Sequence, residues 1–172
     1  PGNLTATARF TLTEDNRIAI EYRATVDKPC PVNLTNHAYF NLDGNQTDVR
    51  SHKLQILADA YLPVDEMGIP YQGLKPVSGK SLEFRQPKTI AQDFLSDDDQ
   101  RKVKGYDHAF LLQAKGDLSQ PAAQVWSADE KLQMTVYTTA PALQFYSGNY
   151  LEGTTAREHN DYAAWQGLAL ES

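Results

Sequence analysis

Four polar side chains of this sequence have the types needed for acid–base chemistry on a small polar substrate: His37, Asp107, Gln144 and Glu171. A histidine and a glutamate can supply an acid and a base that work on either side of neutral pH. An aspartate and a glutamine can hydrogen-bond hydroxyl groups, while nearby aromatic rings cover C–H faces. The combination suits a sugar, and it predicts proton transfer at an anomeric centre without a metal or a cofactor.

Taken singly, each of these residues has a structural alternative. A histidine in a strand such as Asn33–Leu42 is usually a hydrogen-bonded structural residue. An aspartate that opens an apolar strand, as Asp107 does, is usually a turn residue, and a glutamate at a strand end is usually solvated. The functional interpretation therefore depends on whether the fold brings the four side chains together.

Several other kinds of site are disfavoured by the sequence. It has neither a phosphate-binding glycine-rich loop nor a Gly-x-Ser-x-Gly nucleophile motif. Cys30 lies between two prolines and is interpreted as structural. The four histidines, His37, His52, His108 and His159, are not at the His-x-x-x-His spacing of a dedicated zinc site. We predict neither metal nor cofactor.

The elements that must position these residues are strands. Apolar residues alternate with polar ones through most of the chain, which indicates half-buried strands, and residues 10–26 have the pattern of a hairpin. Prolines between Tyr61 and Lys88 predict an irregular region. Residues 93–100 could form one or two helical turns, and their acidic run, Asp97–Asp99, is expected to be a solvated loop. The sequence predicts an all-β, antiparallel β-sandwich that forms a single domain over residues 1–172.

Composition limits the partners. The chain has 172 residues, 41% of them hydrophobic, and a net charge of −6, which disfavours binding to nucleic acid or to an anionic membrane. The single cysteine fits a reducing, cytoplasmic location. We expect a small-molecule partner and a monomer or a weak dimer. Because the chain begins without methionine and ends within an apolar strand, we expect a piece of a longer protein.

Four motifs in order resemble those of one family, the galactose mutarotases or aldose 1-epimerases. The first is the Asn-His-x-Tyr-Phe-Asn-Leu segment, and the others are a Gly-x-Asp-His strand, a Gln-Phe-Tyr-x-Gly-Asn segment and a strand that ends in glutamate. The resemblance covers the whole chain and is strongest to enteric bacterial members. The motifs lie at residues 36–42, 105–108, 144–149 and 167–171.

The resemblance implies a large antiparallel supersandwich, here without N-terminal strands and the last C-terminal strands, that interconverts the α and β anomers of D-galactose and D-glucose. Glu171 would be the general base at the C1 hydroxyl, and His37 the general acid at the ring oxygen. Asp107 and Gln144 would bind sugar hydroxyls. We expect His37 and Glu171 to face each other across one sugar-sized cleft.

The family also has an arginine and a second histidine in its sugar site, in a half that lies outside this chain. Residues 1–172 alone are therefore expected to be inactive or poorly folded. Two alternatives remain open: a carbohydrate-binding sandwich without catalysis, and an epimerase of phosphorylated hexoses. The second would need a basic phosphate pocket, for which the basic cluster Arg101, Lys102 and Lys104 is the candidate, although we interpret it as a solvated loop.

Overall fold

The computed structural model describes residues 2–44, 47–156 and 160–172, so His159 lies outside the described residues. The chain forms two compact units, Pro1–Asn36 and His37–Ser172. All the residues singled out as candidates for chemistry belong to the second unit. The prediction of a single domain over residues 1–172 stays a prediction.

The first unit is a β-hairpin whose two faces differ in polarity. Its strands, β1 (Leu4–Leu12) and β2 (Ile18–Val26), pair antiparallel in one register throughout. Because side chains alternate along a strand, the pairs Phe10–Ile20 and Leu12–Ile18 share one apolar face. The turn places Asn16 at a positive φ of 60°, a conformation that asparagine tolerates better than most residues. The predicted hairpin is confirmed.

The second unit consists of two antiparallel sheets. The five-stranded sheet has the order β11-β10-β7-β4-β5, and the four-stranded sheet has the order β6-β3-β8-β9. The strands of the second unit are β3 (Lys53–Ile56), β4 (Ala58–Tyr61), β5 (Lys75–Pro76), β6 (Lys88–Thr89), β7 (Asp107–Leu112), β8 (Ala123–Trp126), β9 (Gln133–Val136), β10 (Ala142–Tyr146) and β11 (Ala169–Glu171).

One hydrophobic core lies between these sheets. Leu54 and Val125 enter it from the four-stranded sheet, and Phe110, Phe145 and Leu170 enter it from the five-stranded sheet. In β7 and β10 every second residue is buried, so one face of the five-stranded sheet packs on the core and the other carries partly exposed side chains. The predicted all-β antiparallel sandwich is confirmed.

The prediction of a regular strand at Asn33–Leu42 is wrong. Within the described residues, no regular strand lies between Val26 and Lys53, and only Phe40 joins a bridge there, with Leu168. Backbone N–H groups here bond to side chains instead of to a neighbouring strand. The Leu42 N–H donates to His52 Nε2, and the Asp43 N–H donates to Asn41 Oδ1. Such side-chain bonds to the backbone compete with regular secondary structure.

The acidic run agrees with expectation in lying at a short helical segment and in its exposed Asp98, and it differs at Asp99. It forms the start of a short helix, α1 (Asp98–Lys102), with the Asp97 side chain accepting the N–H of Gln100 as the N-cap. The Asp99 side chain is 16% exposed, and it accepts hydrogen bonds from the Tyr61 hydroxyl at 2.6 Å and from Lys102 at 3.1 Å. Within the described residues, no helix has the length and apolar content to cross a membrane.

Candidate active site

Three of the four predicted site residues lie on the face of the five-stranded sheet that points away from the core. Gln144 in β10 pairs with Glu171 in β11, and Tyr146, two residues further along β10, pairs with Asp107 in β7. Directly paired residues of an antiparallel sheet point to the same face, as do residues two apart along a strand. Register alone therefore places Asp107, Gln144 and Glu171 side by side.

The fourth residue, His37, reaches this face through the bridge between Phe40 and Leu168. Two hydrogen bonds close that bridge, from Phe40 N–H to Leu168 O at 2.8 Å and from Leu168 N–H to Phe40 O at 2.9 Å. Three residues before Phe40 and three residues after Leu168 are His37 and Glu171, which therefore face each other. The distance from His37 Nε2 to Glu171 Oε1 is 3.4 Å.

Asp107 and Gln144 form the second half of the cluster. The Gln144 Nε2 group donates a hydrogen bond of 2.6 Å to Asp107 Oδ1. This bond fixes the orientation of the glutamine amide, so its carbonyl oxygen remains available as an acceptor. The second carboxylate oxygen of Asp107 can accept as well. Two neighbouring side chains thus offer several oxygen acceptors to the hydroxyl groups of a substrate.

Burial and charge act on both carboxyl groups. Burial raises the pKa of Glu171, the negative charge of Asp107 adds to the rise, and His37 opposes it. Burial likewise raises the pKa of Asp107, against the hydrogen bond from Gln144 and the charge of His37. A carboxylate whose pKa is raised binds a proton more readily, which is what a general base requires. Glu171 is therefore a better base than an exposed glutamate.

Two tyrosines that the sequence reasoning did not assign to the site line this face. The ring of Tyr39 lies 5.0 Å from that of His37, and the ring of Tyr146 lies 6.2 Å from both. Burial raises the pKa of Tyr39, as do the charges of Glu171 and Asp107, and burial raises the pKa of Tyr146 to about 12. The signal was in the sequence: Tyr146 follows Gln144 by two residues, the spacing of one strand face in β10, and Tyr39 follows His37 by the same interval.

Other residues of the same motifs have structural roles. Asn149, buried, donates from Nδ2 to the carbonyls of Val103 and Tyr106, and its Oδ1 accepts from the Ser147 hydroxyl. Gly105 lies against this asparagine with a φ of 151°, and a Cβ there would come within 2.3 Å of Asn149 Oδ1. These residues hold the segment before β7 against the segment after β10.

The arrangement brings a histidine, a glutamate and side chains able to hydrogen-bond hydroxyl groups into one place. His37 and Glu171 are in direct contact rather than separated by a sugar-sized cleft. That proximity fits chemistry at an anomeric centre, because the ring oxygen and the hydroxyl oxygen are both bonded to C1. Among residues 2–44, 47–156 and 160–172, no group of three or more His, Cys, Asp or Glu side chains is placed to hold a metal ion.

Comparison with known proteins identifies the family. A model of the family described as aldose 1-epimerase matches residues 1–172. The chain is 74% identical to the aldose 1-epimerase of Escherichia coli and 45% identical to that of Haemophilus influenzae, in each case over 100% of this chain and 50% of the relative. It is 37% identical to the human galactose mutarotase, over 100% of this chain and 49% of the relative. The chain thus spans about half the length of the curated relatives it matches.

Solved structures agree with the sequence comparison. A crystal structure of galactose 1-epimerase from Lactobacillus acidophilus superposes with a TM-score of 0.85 at 37% identity, and it covers 99% of this chain and 48% of that one. An aldose epimerase homologue from C. elegans superposes with a TM-score of 0.86 at 27% identity, over 99% of this chain and 50% of that one. The resemblance seen in the motifs is confirmed, and the chain belongs to the aldose 1-epimerase family.

Proposed function

We propose that the full-length protein containing this chain interconverts the α and β anomers of aldohexoses such as galactose and glucose. The observation that carries the proposal is the contact of 3.4 Å between His37 Nε2 and Glu171 Oε1 beside Asp107 and Gln144. A protein that only binds sugar has no need for an acid and a base in contact. The names of the relatives, aldose 1-epimerase and galactose mutarotase, agree with it.

The reaction proceeds by opening and closing the sugar ring. Glu171 removes the proton from the C1 hydroxyl while His37 gives a proton to the ring oxygen, so the bond between C1 and the ring oxygen breaks and an aldehyde forms. Rotation about the C1–C2 bond presents the other face of the aldehyde. The ring oxygen then attacks C1, His37 takes back its proton, and Glu171 returns its proton to the C1 oxygen.

The remaining groups hold the substrate during this sequence. Asp107 and Gln144 accept hydrogen bonds from sugar hydroxyls and keep the open chain in place while C1 rotates. Tyr39 and Tyr146 offer apolar ring surface to the C–H groups of the sugar. A positioned acid or base contributes about 10²–10⁴-fold to the rate of such a step.

A phosphorylated hexose is the less well supported substrate. The basic cluster that could hold its phosphate is partly neutralised, because Arg101 pairs with Asp98 and Lys102 lies 3.1 Å from Asp99. The third member, Lys104, lies 5.3 Å from the centre of the Tyr150 ring. A phosphate approaching this cluster would meet carboxylates as well as cations.

Polarimetry tests the proposal. Freshly dissolved α-D-galactose should reach its equilibrium rotation much faster with the full-length protein than in buffer. Under the same conditions galactose 6-phosphate should react more slowly. A protein that binds galactose without changing the rate would be a binding module, and the proposal would fail. A clear preference for the phosphorylated sugar would assign the chain to the other class of epimerase.

A further inference from the structure

The catalytic candidate His37 lies in a segment that regular secondary structure does not hold. Between His37 and Asp43 the described chain pairs with Leu168, the residue directly before β11, through an isolated bridge at Phe40. The His37 side chain itself is 48% exposed. Proton transfer needs the acid within hydrogen-bond reach of its oxygen, so something else must fix the path of this segment.

His52 is placed to do so. Its side chain is fully buried, and its Nε2 accepts the backbone N–H of Leu42 at 2.9 Å. The other ring nitrogen, Nδ1, lies 3.6 Å from Asp43 Oδ2. A nitrogen that accepts a hydrogen bond carries no proton, so the ring is neutral with its proton on Nδ1 and facing Asp43. Burial lowers the pKa of His52 and favours this neutral form.

The backbone of His52 is held at both of its polar groups. Its N–H donates to Val49 O at 3.0 Å, and its carbonyl accepts the N–H of Ile90, also at 3.0 Å. It directly follows the 3₁₀ turn Val49–Ser51 and precedes β3, a strand of the four-stranded sheet. The ring therefore links the Leu42 backbone to a rigid point of the opposite sheet.

The same turn also contacts the segment that leads into the strand of Glu171. The Val49 N–H donates to Trp165 O at 2.9 Å, and the Arg50 guanidinium lies 4.1 Å from the centre of the Trp165 ring. Residues 49–52 thus contact the chain leading to Glu171 through Trp165, and the chain following His37 through Leu42. One turn is therefore in contact with both segments that carry the partners.

We propose that His52, in its neutral form, is a positioning residue that holds the His37 segment in register with Glu171. The inference rests on the proposed anomer interconversion for its kinetic consequence, but not for the anchoring itself. The role assigned to this buried histidine, which lies outside the substrate-contacting face, is to accept one hydrogen bond through Nε2, the ring nitrogen farther from the backbone.

The test varies how far the hydrogen-bond acceptor at position 52 lies from the backbone. Glutamine at position 52 puts its Oε1 as many bonds from the backbone as His52 Nε2, whereas asparagine is one methylene shorter and cannot reach Leu42. Four forms of the full-length protein are compared: the natural one, His52→Gln, His52→Asn, and Val125→Ala, a change in the core that leaves the Leu42 contact intact. Each is measured for the exchange rate of the Leu42 amide hydrogen and for kcat and KM with galactose.

We expect His52→Asn to expose the Leu42 amide to exchange and to lower kcat by roughly tenfold to 100-fold with little change in KM, as for a misplaced catalytic group. His52→Gln should restore both properties. Val125→Ala should lower stability without changing kcat. Equal kcat in the two amide variants, or a protected Leu42 amide in His52→Asn, would overturn the proposal.

Failure of the proposed function would look different. The natural protein would then leave the anomer equilibration rate unchanged, while Leu42 exchange would still report whether His52 anchors the segment. Should His52→Asn fail to fold, His52→Gln decides alone. Its Leu42 amide must stay protected and its kcat near that of the natural protein, and loss of either contradicts the assignment.

Discussion

Histidines have opposite surroundings in two regions of the molecule. One region is the face of the five-stranded sheet that points away from the core, here called the open face, and the other is the buried interior. On the open face, His37 is half-exposed and lies 3.4 Å from the Glu171 carboxylate. Below it, His52 and His108 are fully buried, and each accepts a backbone N–H, from Leu42 and from Asp107 respectively. The first environment leaves the ring accessible from solvent, and in the second the ring nitrogen that accepts a backbone N–H carries no proton.

The difference shows that the surroundings of a histidine determine what it can do. A buried histidine is most often structural, and two of the three described histidines of this chain, His52 and His108, are fully buried. His37 differs from them because its ring faces an acid on an accessible surface. Substitutions in both regions should have measurable effects, and the largest are expected on the open face.

The largest effect is expected from Glu171→Gln. The amide keeps the shape of the side chain but cannot take a proton, so kcat should fall by about 10²–10⁴-fold while sugar binding is largely kept. Polarimetry gives the rate, and calorimetric titration with galactose gives the affinity. Glu66→Gln, at an exposed glutamate of the turn between Val64 and Pro70, is the matched control and should change neither. Equal losses of rate and affinity would count against the role of Glu171 as a base.

Asp107→Asn should act mainly on binding. Hydrogen bonds to a charged group contribute about 1.5–3 kcal/mol, so we expect KM to rise by roughly tenfold to 100-fold, more than kcat falls. Asp98→Asn, at an exposed aspartate of α1, is the control. A drop in kcat as large as that of Glu171→Gln, with KM unchanged, would show that Asp107 takes part in proton transfer instead.

The same variant should shift the pH dependence. Glu171 must be ionised to act as a base, so kcat/KM should rise with pH through its pKa, which lies above the usual 4.5 because of burial and the Asp107 charge. Removing that charge lowers the pKa of Glu171. The acidic limb of the profile should therefore move to lower pH in Asp107→Asn, and a shift to higher pH would contradict the electrostatic account.

In the buried region we expect an acid-sensitive contribution to stability. Burial lowers the pKa of His108 from 6.5 to about 4, so between these values the unfolded chain binds a proton that the folded chain does not. Stability should fall as the pH drops through this range, by about 3 kcal/mol in total. Urea unfolding of the natural protein and of His108→Asn at pH 7 and pH 5 measures it. Identical pH dependence in the two would exclude His108 as the source.

The smallest effect expected is a difference between two amide substitutions. His108 accepts through Nδ1, which asparagine can imitate, whereas His52 accepts through Nε2, which glutamine can imitate. We expect His108→Asn to be more stable than His108→Gln by about 1 kcal/mol, and the order to be reversed at position 52. The same order at both positions would show that volume, not the accepted hydrogen bond, determines the cost.

Much of this arrangement is predictable from the sequence. The alternation of β7 and β10 gives the apolar core face, and the strand-face spacing places Gln144 and Tyr146 together. The four motifs resemble one family, and that resemblance groups Asp107, Gln144 and Glu171 without knowledge of the register. The hairpin of residues 4–26 follows from its two amphipathic runs.

Other features cannot be predicted, because they depend on contacts between distant parts of the chain. The local pattern puts His37 in a strand, yet its segment is fixed by the His52 ring and by the Phe40–Leu168 bridge, which join residues far apart in sequence. The acidic run puts Asp99 in a solvated loop, yet Tyr61 binds it from β4. The local sequence pattern does not indicate which distant residues will contact a given segment.

The central claim is that His37 and Glu171 act as one acid–base unit in anomer interconversion. It is tested most directly by kcat for galactose in His37→Gln, Glu171→Gln and the double variant of the full-length protein. Residues that act as a unit show strongly non-additive losses, so the double variant should be hardly slower than the slower single variant. If instead the two losses multiply, the residues act independently and the paired mechanism is contradicted.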